Sequence, residues 1–140
     1  MPVNFSDRKG EKGFSLIELI VVLVILGLLA AVVAPNVYKK LAKGKDQIAK
    51  MQIKELEGAL HMYSFDMGRY PSSSESLEAL VRDPGNSNAW NGPYLEKKLP
   101  NDPWGNPYVY RTPGTYGDFD IYSYGADGSD GSEDDIRSWE

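Results

Sequence analysis

The chain has 140 residues, enough for one domain, and its 41% hydrophobic and 25% charged residues are ordinary for a globular protein. It has no cysteine and one histidine, His61. This excludes a disulfide framework, a thiolate site and, within one chain, a zinc site with several imidazoles. The formal net charge of -5 is uneven, because residues 101–140 carry nine acids and two bases. Such an acidic segment repels polyanions, so nucleic acid is not an expected partner.

Residues 14–34 form an apolar run, FSLIELIVVLVILGLLAAVVA, about the length of one membrane span. Its only ionisable residue is Glu18. A carboxylate in hydrocarbon is costly, so Glu18 is a candidate functional residue, and the alternative is a side chain tolerated near the interface. A cleaved secretory signal fits less well, because the run is long for a signal core and lacks a good cleavage site.

Basic residues flank the apolar run on both sides. By the positive-inside rule alone, the larger group, which follows the run, would lie in the cytoplasm. Charge counting therefore leaves the orientation open. The flanking residues are Arg8, Lys9 and Lys12 before the run, and Lys39, Lys40, Lys43, Lys45 and Lys50 after it.

An amphipathic pattern follows the apolar run and predicts one long helix from about Ser15 to about Asp66, ended by Gly68. Pro35 removes one backbone hydrogen bond, and with Gly27 it predicts a kink near residues 27–31. The apolar face steps by four and three residues through Ala49, Ile53, Leu56, Leu60 and Tyr63.

Shorter elements are predicted after the long helix. A capping box of Ser72 and Glu75 predicts a short helix that opens at Pro71, followed by a loop over residues 84–100. In this loop Trp90 and Tyr94 are expected to pack on the core. Two aromatic and β-branched segments predict strands, joined by a turn at residues 112–117, so the fold class is α+β. The strands are Tyr108–Arg111 and Phe119–Tyr124.

The segment 124–136, YGADGSDGSEDDI, places five acids within nine positions, spaced by glycine and serine. Hard cations such as calcium bind six to eight oxygens from carboxylates and carbonyls, and glycines let a loop wrap an ion. The spacing is not that of an EF-hand, and magnesium suits such a loop less well. The alternative is a solvated acidic loop, and composition alone does not separate the two.

The segment KGFSLIELIVVLVILGLLAAVVAPN resembles the class III signal of type IV pilins and type II secretion pseudopilins. The resemblance implies cleavage by a prepilin peptidase after Gly13 and N-methylation of Phe14. It also implies that Glu18 acts in assembly, by meeting the positive N-terminus of a neighbouring subunit. The implied orientation places the leader in the cytoplasm and the rest outside the inner membrane, against the larger group of charges.

Four further segments, in this order, resemble the major pseudopilin family of type II secretion systems: RYP from Arg69, LEAL from Leu77, LPNDPWGNPY from Leu99 and DIYSYGADG from Asp120. The lack of cysteine agrees, since many type IV pilins close a C-terminal loop with a disulfide. The resemblance implies a pilin-like fold, in which a long N-terminal helix packs on a small antiparallel sheet with a C-terminal calcium-binding loop. The implied domains are a leader (1–13), a membrane and assembly helix (14–35) and a periplasmic domain (36–140).

Major pseudopilins bind calcium through two aspartates seven residues apart and through main-chain carbonyls. The resemblance thus implies Asp127 and Asp134 as ligands, with the carbonyl of Tyr124. The carbonyls of Ser132 and Ile136 are weaker candidates. Asp130 and Asp135 remain alternatives to the two aspartates. The implied role is structural, with the ion folding the loop onto the sheet.

The function implied is that of a structural subunit, a homopolymer former in a periplasmic pseudopilus that helps push folded proteins across the outer membrane. Its implied partners are itself, minor pseudopilins, the inner-membrane assembly platform, prepilin peptidase and, before assembly, the membrane. The alternatives are a type IV pilin of a surface fibre and a membrane-anchored calcium-binding module that does not polymerise. Catalysis is not expected, because His61, Glu55 and Glu57 suggest only a helix surface.

Overall fold

The computed structural model describes residues 2, 10, 12–85 and 88–140. Most of the predicted leader, including Arg8 and Lys9, lies outside the described residues. The structure has one long helix, one 3₁₀ helix and a three-stranded antiparallel sheet, and it divides into two compact units, residues 1–40 and 41–140. The elements are α1 (Leu16–Met67), the 3₁₀ helix (Leu77–Leu80), β1 (Val109–Arg111), β2 (Asp120–Ser123) and β3 (Ile136–Arg137).

The first part of α1 is apolar and exposed. An 18-residue window of the helix has a mean hydropathy of 3.2 with none of it buried, so by length and composition it could cross a membrane. Ser15 caps the helix, because its Oγ accepts a hydrogen bond from the Glu18 N–H over 3.3 Å. Gly27 and Pro35 both lie within α1, which is unbroken at either residue. The kink predicted there stays a prediction.

The second part of α1 forms one wall of the core. The predicted apolar face is confirmed, since all five of its residues are buried together with Ala59. The helix ends within one residue of the predicted position, and Gly68 follows at φ 75°. The face packs against Leu77, Ala79, Leu80, Leu95, Tyr108, Ile121 and Ile136, with Trp90 and Tyr94 against the edge of this cluster as predicted.

The short helix differs from the prediction. The capping box forms, with Glu75 N donating to Ser72 Oγ (3.2 Å) and Ser72 N to Glu75 Oε1 (3.4 Å), but it closes a turn and not an α-helix. Ser76 follows at φ 59°, a left-handed conformation that an α-helix cannot continue through. The helical segment is therefore only the 3₁₀ turn Leu77–Leu80.

The sheet has the strand order β1-β2-β3. The two predicted strands are confirmed, each slightly shorter than expected, and β3 was missed. Tyr110 pairs with Ile121, and Ser123 pairs with Ile136. Ile121 and Ile136 enter the core beside α1. Because β2 pairs with β3, the two ends of the segment that connects these strands lie next to each other.

Candidate functional site

The acidic loop, residues 124–135, connects β2 to β3. Its ends are joined by the Ser123–Ile136 pair. Gly125, at φ 70°, is buried, and a Cβ at this position would overlap the carbonyl oxygen of Asp134. The first and last parts of the loop therefore touch through their backbones, and only glycine permits this approach.

Three carboxylates of the acidic loop meet: Asp127, Asp134 and Asp135. Each offers one oxygen, and these oxygens lie within 4.8 Å of one another. The N–H of Asp127 donates to Oδ2 of Asp134 over 2.9 Å. Like charges this close repel strongly where water is partly excluded, and Asp135 is buried. A bound cation would relieve this repulsion.

The hydroxyl of Ser132 lies at the centre of this group. Its Oγ contacts Oδ1 of Asp127 (3.2 Å), Oδ1 of Asp135 (3.0 Å), the carbonyl of Ser129 (3.1 Å) and Oδ1 of Asp134. A hydroxyl has one proton, so it can donate to only one of these four oxygens. A surplus of converging oxygens is what a hard cation such as calcium binds, and the donor set therefore fits that ion.

The pKa of Asp134 favours the form that binds cations. The hydrogen bond from the Ser132 hydroxyl, followed by that from the backbone N–H of Asp127, holds the pKa of the Asp134 carboxyl below its ordinary value of 3.8. The side chain is thus ionised at neutral pH, as a cation ligand must be.

The structure separates the two aspartates that sequence reasoning had left as alternatives. Asp135 joins the group, with Oδ2 accepting from Gly131 N (2.9 Å) and lying 3.5 Å from Arg137 Nη2. Asp130 is instead exposed and lies 3.9 Å from Arg111. Asp135 therefore holds the loop in shape in addition to facing the group, and Asp130 lies outside it.

Two of the three proposed carbonyl ligands lie where the strands end. Tyr124 directly follows β2, and Ile136 opens β3. The Ser132 carbonyl accepts a hydrogen bond from Arg137 Nη2 over 3.3 Å, whereas its hydroxyl lies among the carboxylates. The role of the hydroxyl was missed, because sequence spacing cannot show which oxygen of a serine faces a loop interior. The three carbonyl assignments stay predictions.

The second candidate site is the start of α1. Glu18 lies in the first helical turn, where the positive end of the helix dipole favours a carboxylate even without an assembly role. Gly13, Phe14 and Glu18 are all exposed. The structure thus leaves the predicted cleavage point and assembly residue accessible, and their roles stay predictions.

Two families match the chain and together cover most of it. Residues 8–34 match the family described as "Prokaryotic N-terminal methylation motif", and residues 36–139 match "Type II secretion system (T2SS), protein G". The boundary between the two matches lies at Pro35, close to the predicted start of the periplasmic domain at residue 36.

Curated relatives resemble the chain over almost its whole length. Type II secretion system core protein G of Pseudomonas aeruginosa is 50% identical over 96% of this chain and 99% of that protein. The proteins of the same name from Vibrio cholerae and Escherichia coli are 45% and 43% identical, over 96% and 92% of this chain and 95% and 91% of those proteins.

A solved structure shares the fold. The crystal structure of the major pseudopilin from the type 2 secretion system of enterohaemorrhagic Escherichia coli superposes with a TM-score of 0.64 at 39% identity. The match covers 75% of this chain and 95% of that chain. The prediction of a pilin-like α+β fold is confirmed. Because the matches are to protein G of type II secretion systems, the alternative of a type IV pilin of a surface fibre is set aside. The chain belongs to the protein G family of type II secretion systems, the major pseudopilins, and is a structural subunit of a pseudopilus.

Proposed function

We propose that the chain is made as a precursor held in the inner membrane by residues 14–35, with its C-terminal domain in the periplasm. Prepilin peptidase removes the leader after Gly13, and the new amino terminus on Phe14 is methylated. The trimmed subunit then polymerises with copies of itself into a periplasmic fibre. The match of residues 8–34 to the methylation motif supports this processing.

One observation carries the proposal. Every described residue from 12 to 40 is exposed, although the run from Phe14 to Val33 is almost wholly apolar. An apolar surface of this extent is not stable in water. The bilayer covers it before assembly, and the corresponding helices of other copies cover it in the fibre.

Glu18 acts at the step from bilayer to fibre. Once apolar helices surround it, its carboxylate lies in a medium of low dielectric, where an unpaired charge is expensive. The amino terminus that cleavage creates on Phe14 of a neighbouring copy supplies the opposite charge. Each charge offsets the burial cost of the other, so only the register that brings them together is stable.

A second apolar stripe on α1 supports packing between copies within the periplasmic unit. The stripe is exposed and lies on the side of the helix opposite the core face, as the spacing of its members requires. Phe65 is the most exposed of them, at 90%. The partner that fits is a helix of a second copy. The stripe consists of Ile48, Met51, Met62 and Phe65.

We further propose that the acidic loop binds calcium through Asp127 and Asp134, with Asp135 beside them and the carbonyls of Tyr124, Ser132 and Ile136 as main-chain candidates. When bound, the ion neutralises the converging carboxylates. The protein contributes the closed strand ends and the Gly125 contact that hold the two aspartates together. The ion thereby fixes the loop surface that neighbouring subunits meet.

The fibre in turn contacts minor pseudopilins and the inner-membrane assembly platform, and its growth moves folded proteins across the outer membrane. No catalytic step is proposed for this chain. His61 is exposed on α1, with Nδ1 3.1 Å from the Tyr70 hydroxyl and its ring edge-on to Phe119. These contacts suit packing at the domain surface.

The experiment that tests assembly uses the full-length chain produced with the other components of a secretion system. The parent is expected to form sedimentable fibres when overproduced, and its fibre form should lack residues 1–13 and carry one added methyl group by mass spectrometry. Glu18→Ala is expected to stay in the membrane fraction and form no fibre. Glu96→Ala, which removes an exposed acid from a periplasmic loop, is the matched control. Fibres of Glu18→Ala at the parental level would overturn the role of Glu18.

A further inference from the structure

Asp102 is a buried carboxylate at a junction of hydrogen bonds. It is 4% exposed and belongs to the DPWGNPY segment before β1. Its Oδ1 accepts from the backbone N–H groups of Trp104 (3.1 Å) and Asn106 (2.8 Å), and its Oδ2 accepts from the hydroxyl of Ser123 over 2.7 Å. Three donors from two separate stretches of chain thus converge on one side chain.

The backbone of Asp102 closes the same turn. Its N–H donates to the carbonyl of Asn106 over 2.7 Å, and its carbonyl accepts from Gly105 N over 3.0 Å. Gly105 has a φ of 87°, which suits glycine at this tight turn. Residues 102–106 are therefore fixed as one unit around the Asp102 side chain.

The first link to the acidic loop runs through Ser123, the last residue of β2. Its hydroxyl donates to Asp102 and accepts from the N–H of Gly125 over 3.1 Å. Ser123 is completely buried. Gly125 is the residue whose backbone touches the carbonyl of Asp134. Asp102 thereby fixes the part of the loop that lies against Asp134.

The second link runs through Asn106, whose N–H is held by Asp102. The Nδ2 atom of Asn106 lies 3.7 Å from the position that a Cβ of Gly128 would occupy. Gly128 directly follows Asp127. The turn that Asp102 organises therefore lies against the loop beside Asp127 as well as beside Asp134.

We infer that Asp102 is a positioning residue for the candidate cation site, setting the separation of Asp127 and Asp134 through Ser123 and Asn106. The inference rests on the proposed calcium site. Groups that hydrogen-bond directly to the ligands of a metal commonly change its affinity about 10- to 100-fold when they are replaced, and we expect the lower end of this range for Asp102, which acts one contact further out. The DPWGNPY segment, which contains none of the proposed cation ligands, thus has the role of positioning them.

The test measures calcium affinity and amide exchange of the full-length protein in detergent micelles. Ser123→Ala removes one hydroxyl from the first link, and Asp102→Asn keeps the shape of the side chain but removes its charge. Ser73→Ala is the matched control, because the Ser73 hydroxyl bonds the Thr112 carbonyl (3.0 Å), outside the acidic loop.

We expect calcium titration to give a Kd at least about tenfold weaker for Ser123→Ala and Asp102→Asn than for the parent, and a control value within about twofold. Calcium should slow amide exchange across residues 124–136 in the parent and the control but much less in the two variants. Exchange along the buried face of α1 should stay slow in all of them.

Three results would overturn the inference, and they differ in what they imply for the proposed calcium site. If the parent binds calcium and both variants bind it equally well, the positioning role is overturned while the calcium site stands. A lower melting temperature with an unchanged Kd also overturns it, since Asp102 would then support only the fold. If the parent binds no calcium, the proposed site fails and the inference fails with it.

Discussion

Asp127 and Asp134, seven residues apart in the chain, are joined by a hydrogen bond from the backbone N–H of Asp127 to Oδ2 of Asp134 over 2.9 Å. The bond orients one carboxylate with protein atoms alone, and the Ser132 hydroxyl orients it further. Part of the conformational entropy of the ligand side chains is therefore lost when the protein folds, so less is lost when the ion binds.

Calcium is expected to raise the melting temperature of the full-length protein in detergent, measured against excess chelator, with magnesium as a second comparison. At a calcium concentration of about 100 times Kd, linkage gives about 2.7 kcal/mol, which corresponds to a rise in melting temperature of about 10 °C for a domain of this size. Asp127→Ala and Asp134→Ala should melt in calcium as they do in chelator. Asp130→Ala, outside the group, should keep the shift. Equal calcium shifts in parent and Asp134→Ala would contradict the assignment.

Gly125→Ala is expected to destabilise the domain more than Gly131→Ala does. Both residues have positive φ values, 70° and 82°, so both variants carry backbone strain of about 1–3 kcal/mol. Only at Gly125 would the added Cβ meet another atom, the Asp134 carbonyl oxygen, whereas nothing lies within 4 Å at Gly131. Denaturant unfolding of both variants isolates the cost of this contact. Equal losses would show that the two backbones do not meet there.

The parts of the fold that sequence predicted are those with a repeated pattern. The face from Ala49 to Tyr63 repeats often enough to define a helix and its buried side, and the runs of aromatic and β-branched residues in β1 and β2 mark both as strands. The strand β3 has two residues, Ile136 and Arg137, too few for any alternation to show. The positive φ of Ser76, which prevents an α-helix there, could not be predicted either, because a serine in the sequence does not indicate such a conformation.

The candidate site, like the fold, was predictable from the sequence only in part. Acid-rich composition marked the loop, and spacing selected Asp127 and Asp134 only with the help of family resemblance. The contribution of Asp102 was beyond sequence reasoning, because its contact with Ser123 joins residues 21 positions apart. Such a link depends on which strand lies beside which loop, and local sequence does not carry that information.

Glu75→Gln is expected to lower stability at neutral pH by about 1.5–3 kcal/mol, the range for hydrogen bonds to a charged group. Glu75 accepts from Arg69 Nη1 (2.8 Å), the Ser72 hydroxyl (2.8 Å) and the Tyr63 hydroxyl (3.2 Å). Burial acts to raise the pKa of Glu75, but hydrogen bonds from Arg69 and Ser72 outweigh it and lower the pKa below its ordinary 4.5.

The sign of the pH dependence follows from that lowered pKa. The contribution of Glu75 is fully present above pH 4.5 and is lost as the pH falls through the lower folded pKa. The difference in unfolding free energy between parent and Glu75→Gln should therefore shrink in acid, measured by denaturant titration at several pH values. Glu96→Gln, in an exposed loop, is the control. A difference that stays constant down to pH 2 would contradict this role of Glu75.

Leu60→Ala is expected to cost about 2–5 kcal/mol, because it leaves a cavity in the core. Leu60 is completely buried against the sheet side of the domain, whereas Met62, two residues further on, is 61% exposed. Met62→Ala should therefore change unfolding free energy little. Membrane insertion of both variants should equal that of the parent. Equal destabilisation by the two variants would show that the buried face of α1 has been wrongly assigned.

Among the residues that the structure describes, none before Ala49 belongs to the core, and every described residue from 12 to 40 is exposed. The residues that keep the domain folded and those proposed to meet the bilayer or other copies are thus different sets. A subunit can finish folding while it waits in the membrane, and a misfolded one can be removed before it joins the fibre. On the proposed assembly route, fibre growth then requires only that a folded subunit leave the bilayer and dock on the fibre.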